Sequence, residues 1–508
     1  MKKWWVKLLL AFAVILLALS TFFFKSGLDS KTRLEQYRHQ LLAAGEKLSI
    51  EDHIPPRADP ERNGADLFDQ ACRFITPYGY SLVTSNPPTA MCIVAPGKAR
   101  IAWLQNEILF LKGHFFNTNT WVDLEADLTA QDPAFDLLQQ AAARPEFDFG
   151  LDYHQLFTPV PQLPKLRQAT ALLAGKVIFD LHRGDTVSAV TNFQTLLAVA
   201  NAGKDEPLLA AQSMRMHLMQ NVDAIQWELL QATNITDEQL AALQRRWTNI
   251  DFIKPMEKAE VMSRSLVSLM MKEARAGNPL GGPGGPGLRM GSLFDIGGLV
   301  QAWRRGTGDT LWRQSWTYDD EVTVLQGYQV MVETMRQVET NGYFKDAFAE
   351  REHKIVALGL NRTNANWLRK QLNGHYAEVG GDFVYSIASL LDRTLAIEAW
   401  RQCAITAIAL KRYQLRHGTL PKELTALVPE FLPGVPRDPV DGKPLRYRLN
   451  ADGTFLLYSI GADGTDDGGD ATSVPSTTSF ERQTTRDWVW PQPATPQEVQ
   501  NYYDHPPR

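Results

Sequence analysis

The most apolar stretch of the chain lies at its N-terminus. No charged residue interrupts the run from Leu8 to Phe24, and lysines, among them Lys7, precede it. The run is close to the length that crosses a bilayer, and leading lysines keep the N-terminus in the cytoplasm. We therefore predict a cytoplasmic start and an uncleaved transmembrane helix over residues 1–25. A cleaved signal peptide is the alternative, although Phe22–Phe24 replace the small residues that a signal peptidase requires.

No second stretch of similar apolarity follows Lys25. The chain is thus predicted to cross a bacterial inner (cytoplasmic) membrane once, as a signal-anchor protein with its bulk extracytoplasmic, in the periplasm. In that oxidising compartment, Cys72 and Cys92 could close a disulfide, while two separate buried thiols are the alternative. Cys403 is expected to be a buried thiol.

Helical spacing dominates the polar and apolar pattern after the anchor. Gly45 ends a short predicted helix over residues 31–44, and apolar residues recur at three and four from Leu163 to Ala276. The pattern predicts a mainly α protein, with a large ectodomain of stacked helical hairpins over residues 26–276, continued over 299–394. Such a stack could present a groove to a protein partner, although plain helical packing explains the same spacing.

Residues 277–298 are rich in glycine and proline, which predicts a loop or linker. Beyond them, Trp303, Trp312 and Trp316 interleave with arginines. That mixture is compatible with a face that binds sugars or lipid headgroups, but aromatic residues at helical spacing are more often part of a core.

The pattern changes to strand-like alternation near the C-terminus. Tyr447 and Leu449 alternate with Arg446 and Arg448, and a turn at residues 450–453 leads into the apolar run from Phe455 to Tyr458. This arrangement predicts a β-hairpin. A polar tail over residues 491–508, predicted to be frayed, closes the chain.

The predicted hairpin runs directly into a glycine-rich loop with several carboxylates. These are Asp463, Asp466, Asp467 and Asp470. Calcium prefers carboxylate and carbonyl oxygens, whereas zinc would require histidine or cysteine, and neither is present in the loop. The loop is not a helix-loop-helix calcium motif, because Val474 stands where the bidentate glutamate belongs. A calcium loop and a solvated acidic loop both remain open on this chemistry.

The same region resembles a known family. His417–Pro421, Pro436–Pro439, Gly442–Tyr447 and Tyr458–Gly464 resemble the C-terminal domain of the major pseudopilin, protein G, of the type II secretion system. The resemblance spans residues 395–490 and implies a small α+β module. It also implies bound Ca²⁺, with ligands from the aspartates at 463, 466, 467, 470 and 487.

The match also has departures. The insert Ala471–Arg486 separates the acidic loop from Asp487, and the chain lacks the leader and the helix glutamate of a pseudopilin. A polymerising pilus subunit is therefore not expected. The whole chain also resembles uncharacterised membrane-anchored helical proteins of bacterial envelopes, which implies an architecture and no activity. For the function, a link to secretion or envelope organisation is expected.

Composition narrows the function classes. The chain has 508 residues and a formal net charge of -5, so it lacks the basic surface expected of a nucleic-acid binder. None of the common catalytic motifs is present, and His154, which lies close in sequence to Asp148 and Asp152, is expected to be a surface residue. We therefore predict a binding or assembly protein rather than an enzyme. The alternative is an envelope hydrolase with its site in a cleft of the helical domain, which a polar pocket with pKa-perturbed carboxylates would favour.

Overall fold

The protein is described here from a computed structural model over residues 2–77, 79–112, 115–155, 158–276, 317–358, 376–473 and 485–505. Side chains are not described for residues 111–112, 115 and 376–387, nor for many positions before residue 25. The described part is mainly helical with small sheets, which confirms the predicted mainly α class. The predicted linker 277–298 and the tryptophans at 303, 312 and 316 lie outside the described residues.

The first helix, α1 (Lys2–Ala43), is continuous from the predicted anchor into the predicted helix 31–44. The Ser26-Gly27 pair does not interrupt it, because one glycine costs a helix only about 1 kcal/mol. Gly45 ends it with a φ of 84°. Among the described residues, no helix has both the length and the apolar character needed to cross a membrane. Many side chains of the Leu8–Phe24 run lie outside the described residues, so the anchor stays a prediction.

Thirteen further helices are numbered here in chain order. They are α2 (Ala65–Cys72), α3 (Leu82–Ser85), α4 (Trp121–Thr129), α5 (Asp132–Ala142), α6 (Gln162–His182), α7 (Thr186–Ala200), α8 (Leu209–Leu230), α9 (Asp237–Thr248), α10 (Ile253–Ala276), α11 (Thr317–Asn341), α12 (Lys345–Ala357), α13 (Tyr376–His417) and α14 (Pro496–Asp504), all within the described ranges.

The helices from α6 to α9 confirm the periodicity of the sequence. α6 and α7 form an antiparallel hairpin, and the Asp185 side chain caps α7 by accepting a hydrogen bond from the Ser188 N–H. α9 begins with a reciprocal capping box between Thr236 and Gln239. α10 packs along α11, and α13 crosses α8 and α9. The α6–α7 hairpin is thus present within a mainly helical body.

The strands form three small sheets within the described residues. The sheets are β1 (Cys92–Ala95), β2 (Lys98–Arg100) and β8 (Gln492–Pro493); β3 (Ile108–Lys112) with β4 (Phe115–Asn119); and β5 (Arg446–Leu449), β6 (Phe455–Ser459) and β7 (Trp488–Val489). The β5–β6 pair is antiparallel, with Arg446 opposite Tyr458, which confirms the predicted hairpin.

The C-terminal region shares the main hydrophobic core with the helices. The core extends from Phe68 to Trp490. The buried Trp227 of α8 donates its indole N–H to the Pro491 carbonyl at 2.8 Å, and Gln244 of α9 donates to the Phe431 carbonyl at 2.6 Å. The module predicted over residues 395–490 is therefore packed against the helical body.

The C-terminal tail differs from the expectation. The tail predicted to be frayed is ordered to residue 505, since β8 pairs in parallel with β2 and α14 starts with a capping box between Thr495 and Glu498. The local sequence pattern did not predict this pairing, because it joins two strands that are far apart in the sequence. No disulfide joins Cys72 and Cys92, which are both thiols in the structure, as is the buried Cys403.

Candidate functional site

The acidic loop that the sequence singled out is held by its own hydrogen bonds. Asp466 accepts from the Tyr458 hydroxyl at 2.9 Å, from the Gly468 N–H at 3.1 Å and from the Arg446 guanidinium at 3.4 Å. Burial acts to raise the pKa of Asp466, but these bonds outweigh it and lower the pKa. Asp463 is exposed and accepts only the Thr465 N–H.

Asp487 lies at the centre of this loop despite the insert that precedes it. Its fully buried carboxylate accepts the N–H groups of Gly469 at 2.7 Å and Asp470 at 3.1 Å. A bridge between Ser473 and Thr485 closes the insert at its base. The chain passes so tightly here that a Cβ on Gly461 would stand 1.9 Å from the Arg486 carbonyl oxygen. The structure thus brings Asp487 to the predicted loop.

Two arginines pair with aspartates that the resemblance implies as calcium ligands. Arg486 lies 3.3 Å from an Asp467 oxygen and 3.5 Å from an Asp470 oxygen, while Arg446 contacts Asp466. In the part of the chain that the structure describes, no group of three or more histidines, cysteines, aspartates or glutamates is arranged to hold a metal ion. The loop as folded does not fit calcium, and the metal remains a prediction of the resemblance.

A second acidic region, which the sequence did not single out, lines a cavity of about 760 Å³. Its walls come from residues 45–58 after α1, from residues 146–153, from residues 205–207, from α10 and from Arg336 of α11. This volume lies within the range of small-molecule sites, about 300–1,000 Å³. Among the described residues its lining includes seven carboxylates, from Glu46, Asp52, Glu146, Asp148, Asp205, Glu206 and Glu257.

Glu46 closes one side of the cavity at the point where α1 ends. It accepts hydrogen bonds from Arg264 at 2.9 Å, Arg336 at 2.5 Å and Gln329 at 3.2 Å. Burial acts to raise the pKa of Glu46, but these three donors outweigh it and lower the pKa to about 2. Arg336 also bonds Glu257 at 2.6 Å. Glu46 is therefore ionised, and both carboxylates are already paired with arginine.

Among the carboxylates that line the cavity, Glu206 is the most deeply buried. Its side chain lines the cavity, the residue is only 4% exposed, and its Oε2 accepts the Tyr153 hydroxyl at 2.5 Å. Within the described chain, its Oε1 accepts no hydrogen bond. Burial raises the pKa of Glu206, and the Asp148 charge adds to that increase.

Asp148, which also lines the cavity, has a pKa that is shifted in the opposite direction. It accepts from the Ala58 N–H at 3.1 Å, the Gly150 N–H at 2.9 Å and Arg57 at 3.0 Å. Burial acts to raise the pKa of Asp148, but these donors lower it overall. One cavity thus contains a carboxylate with a lowered pKa, Asp148, and a carboxylate with a raised pKa, Glu206.

The sequence missed this cavity because five separate segments build it. Asp205-Glu206-Pro207 between two helices, and Pro55-Pro56 after α1, were the local signals that could have pointed to it. His154, interpreted as a surface residue, is 60% exposed and lies 3.8 Å from Glu51, outside the lining. Comparisons of the chain with known protein families, with curated proteins and with solved structures found no match.

Proposed function

We propose that the protein is a membrane-anchored, extracytoplasmic binding protein whose ligand site is the cavity beside the end of α1. The cavity itself is the observation that supports this proposal best, because it combines adequate volume with a buried carboxylate that is not fully paired. A protein with no recognisable catalytic motif and such a site is more simply explained as a binder than as an enzyme.

Contacts of α1 support the membrane part of the proposal. Leu10, Phe12, Val14 and Leu17 are more than half exposed on α1, as expected for side chains that face lipid. Further along, Arg33 pairs with Asp319 at 2.7 Å. The predicted anchor would therefore continue into the body through one continuous helix.

On this proposal, the length of α1 gives the distance between the cavity and the membrane. The helix from Lys25 to Ala43 rises about 27 Å at 1.5 Å per residue. Because Gly45 and Glu46 follow α1 directly and line the cavity, the site would lie about that far outside the membrane surface if the helix stands upright. The cavity would be accessible to small solutes of the periplasm.

The finer description of the C-terminal region also belongs to the proposal. The long helix α13, followed by the antiparallel β5–β6–β7 sheet, is compatible with a pseudopilin-like α+β module. Its packing against α8 and α9 favours a structural role in the body over a role as an independent assembly module. A protein partner would then contact the outer helical surface.

Two experiments test the proposal. An alkaline phosphatase fusion at the C-terminus should be active, and a fluorescent-protein fusion that folds only in the cytoplasm should be dark; the reverse pattern would contradict the predicted topology. For binding, the full-length protein in detergent micelles is melted against a library of periplasmic solutes. A ligand of the cavity should raise the thermal unfolding midpoint of the wild type. It should not raise the midpoint of Ala58→Trp, in which the indole occupies the cavity.

A matched control for the blocked cavity is Ala126→Trp, on the exposed surface of α4. It adds the same indole outside the lining, so it should respond to a ligand as the wild type does. If ligands act equally on both variants, they bind elsewhere and the cavity is not the site.

One observation favours the second candidate, an envelope hydrolase. Glu206 has a raised pKa and Asp148 a lowered pKa within one cavity, and enzymes separate a general acid from an ionised partner in this way. On this alternative, Glu206 would donate a proton and Asp148 would act as base or electrostatic partner. A panel of chromogenic glycosides and esters would test it, with Glu206→Gln and Asp148→Asn each expected to abolish any turnover.

A further inference from the structure

We propose that the cavity takes a small organic amine, with its ammonium group against Glu206 Oε1 and its apolar stem along the prolines of the lining. The inference rests on the proposed binding function and names the chemical class of the ligand. It follows from which carboxylates of the cavity are already neutralised, and which are not.

Four lining carboxylates accept a hydrogen bond from an arginine of the protein. Glu46 and Glu257 share Arg336, Asp148 bonds Arg57 at 3.0 Å, and Glu146 bonds Arg62 at 2.7 Å. The arginines neutralise these carboxylates, so little negative charge remains there to attract a ligand. The choice of ligand therefore depends on the remaining carboxylates, at positions 52, 205 and 206.

Of these three carboxylates, Glu206 should determine which ligand binds, because it is the most buried. Its only hydrogen-bond donor in the described chain is the neutral Tyr153 hydroxyl, and the residue is 4% exposed. A charge interacts more strongly where water is excluded, so a cation placed here gains more than one at the rim. Asp205 is half exposed, with Lys204 3.8 Å away, and contributes less.

The basic residues of the lining do not reverse this preference. Arg336 is committed to Glu46 and Glu257, and Lys47 and Lys258 are exposed at the rim, where solvent and salt screen them. An anionic ligand would have to place its charge beside Glu206 or remain at the rim. A cation does not face this penalty.

The apolar part of the lining indicates an organic cation rather than a metal ion. Pro55, Pro56, Pro207, Phe147 and Val261 line the same cavity, and together they offer a surface for a hydrocarbon stem. A metal ion would require several converging oxygens, and the described residues contain no such group. An alkyl ammonium ion can pair with the Glu206 carboxylate and pack its hydrocarbon stem against the apolar residues of the lining.

The test compares three probes with the same four-carbon stem. 1,4-Diaminobutane, 1,4-butanediol and butanedioate are titrated into the full-length protein in detergent micelles at fixed ionic strength, by calorimetry and by thermal unfolding. We expect only the diamine to bind and to raise the midpoint. Glu206→Gln keeps an acceptor for Tyr153 but removes the charge, and it should weaken diamine binding about tenfold or more.

Two further variants make the outcome unambiguous. Glu51→Gln removes an exposed carboxylate that does not line the cavity and should bind the diamine as the wild type does. Should Glu206→Gln fail to fold, Asp205→Asn replaces it, with a smaller expected loss. Binding of the diol or the dioate that Ala58→Trp abolishes would overturn the amine class but retain the cavity as a ligand site. Absence of any binding, or equal binding by Glu206→Gln, would overturn the amine proposal.

Discussion

The protein has two acid-rich regions, and they differ in how their carboxylates are satisfied. In the loop between β6 and β7, every aspartate from 466 to 470 that the sequence singled out has a donor from the backbone or from Arg446 or Arg486. In the cavity, Glu206 has one oxygen on the Tyr153 hydroxyl and the other without a described partner. A dense run of aspartates in sequence is therefore a poor guide to where binding capacity remains.

The difference follows from distance along the chain. Carboxylates that are close in sequence share a tight turn, where glycine and backbone N–H groups can pair with them locally, as Gly469 does with Asp487. Carboxylates from four separate segments are brought together by tertiary packing, and the fold leaves space between them. Four predictions test this contrast, in order of decreasing effect.

The largest effect is expected at the junction of α1 with the cavity. Glu46→Ala should lower the free energy of unfolding by about 3–5 kcal/mol, because it leaves the fully buried Arg264 without its carboxylate partner. Urea unfolding of the full-length protein in micelles measures it. Glu51→Ala, at an exposed position nearby, should change stability by less than about 0.5 kcal/mol. A small effect of Glu46→Ala would mean that α1 is not held by this network.

In the acidic loop, substitution of Asp487 should lower the free energy of unfolding, whereas substitution of Asp463 should not. Asp487→Ala removes the acceptor of the Gly469 and Asp470 N–H groups and should cost about 2–3 kcal/mol. The same unfolding experiment on Asp463→Ala, at an exposed position, should show almost no change. Equal effects of the two substitutions would contradict a loop built around Asp487.

Glu206 of the cavity and Asp466 of the acidic loop should respond to pH in opposite directions. The pKa of Glu206 is raised above 4.5 by burial, so its stabilising contribution is complete below pH 4.5 and is lost as the pH rises through its folded pKa. The pKa of Asp466 is lowered below 3.8, net of burial, by its hydrogen bonds, so its contribution is complete above pH 3.8 and is lost as the pH falls.

Unfolding free energies measured from pH 3 to pH 8 would show this contrast. The stability of the wild type relative to Glu206→Gln should fall with rising pH, whereas its stability relative to Asp466→Asn should rise. Two differences that change in the same direction would contradict the opposite pKa shifts of Glu206 and Asp466.

The smallest effect is expected from calcium. Because Arg446 and Arg486 already pair with the loop aspartates, a chelator should leave the unfolding midpoint of the full-length protein unchanged. The pseudopilin resemblance predicts the opposite, a midpoint raised by calcium. A calcium response that disappears in the Asp463→Ala, Asp467→Ala double variant would establish the metal loop.

Local signals in the sequence sufficed for the helical hairpins and for the β5–β6 hairpin. The Arg183-Gly184-Asp185 turn, the capping box at Thr236 and the turn at residues 450–453 each act within a few residues, so their physics is visible in the pattern. Pairing of β2 with β8 was not visible, because it depends on contacts between Lys98 and Gln492. The cavity was hidden for the same reason, since Glu46, Asp148 and Glu206 meet only in the folded protein.

The central claim is that the cavity, and not the acidic loop, is where this protein binds its ligand. Hydrogen–deuterium exchange of the full-length protein with and without 1,4-diaminobutane tests it most directly. The account predicts slower exchange in residues 45–58, 146–153 and 205–207, with no change in residues 461–473. Protection confined to residues 461–473 would contradict it and would return the acidic loop to the position of functional site.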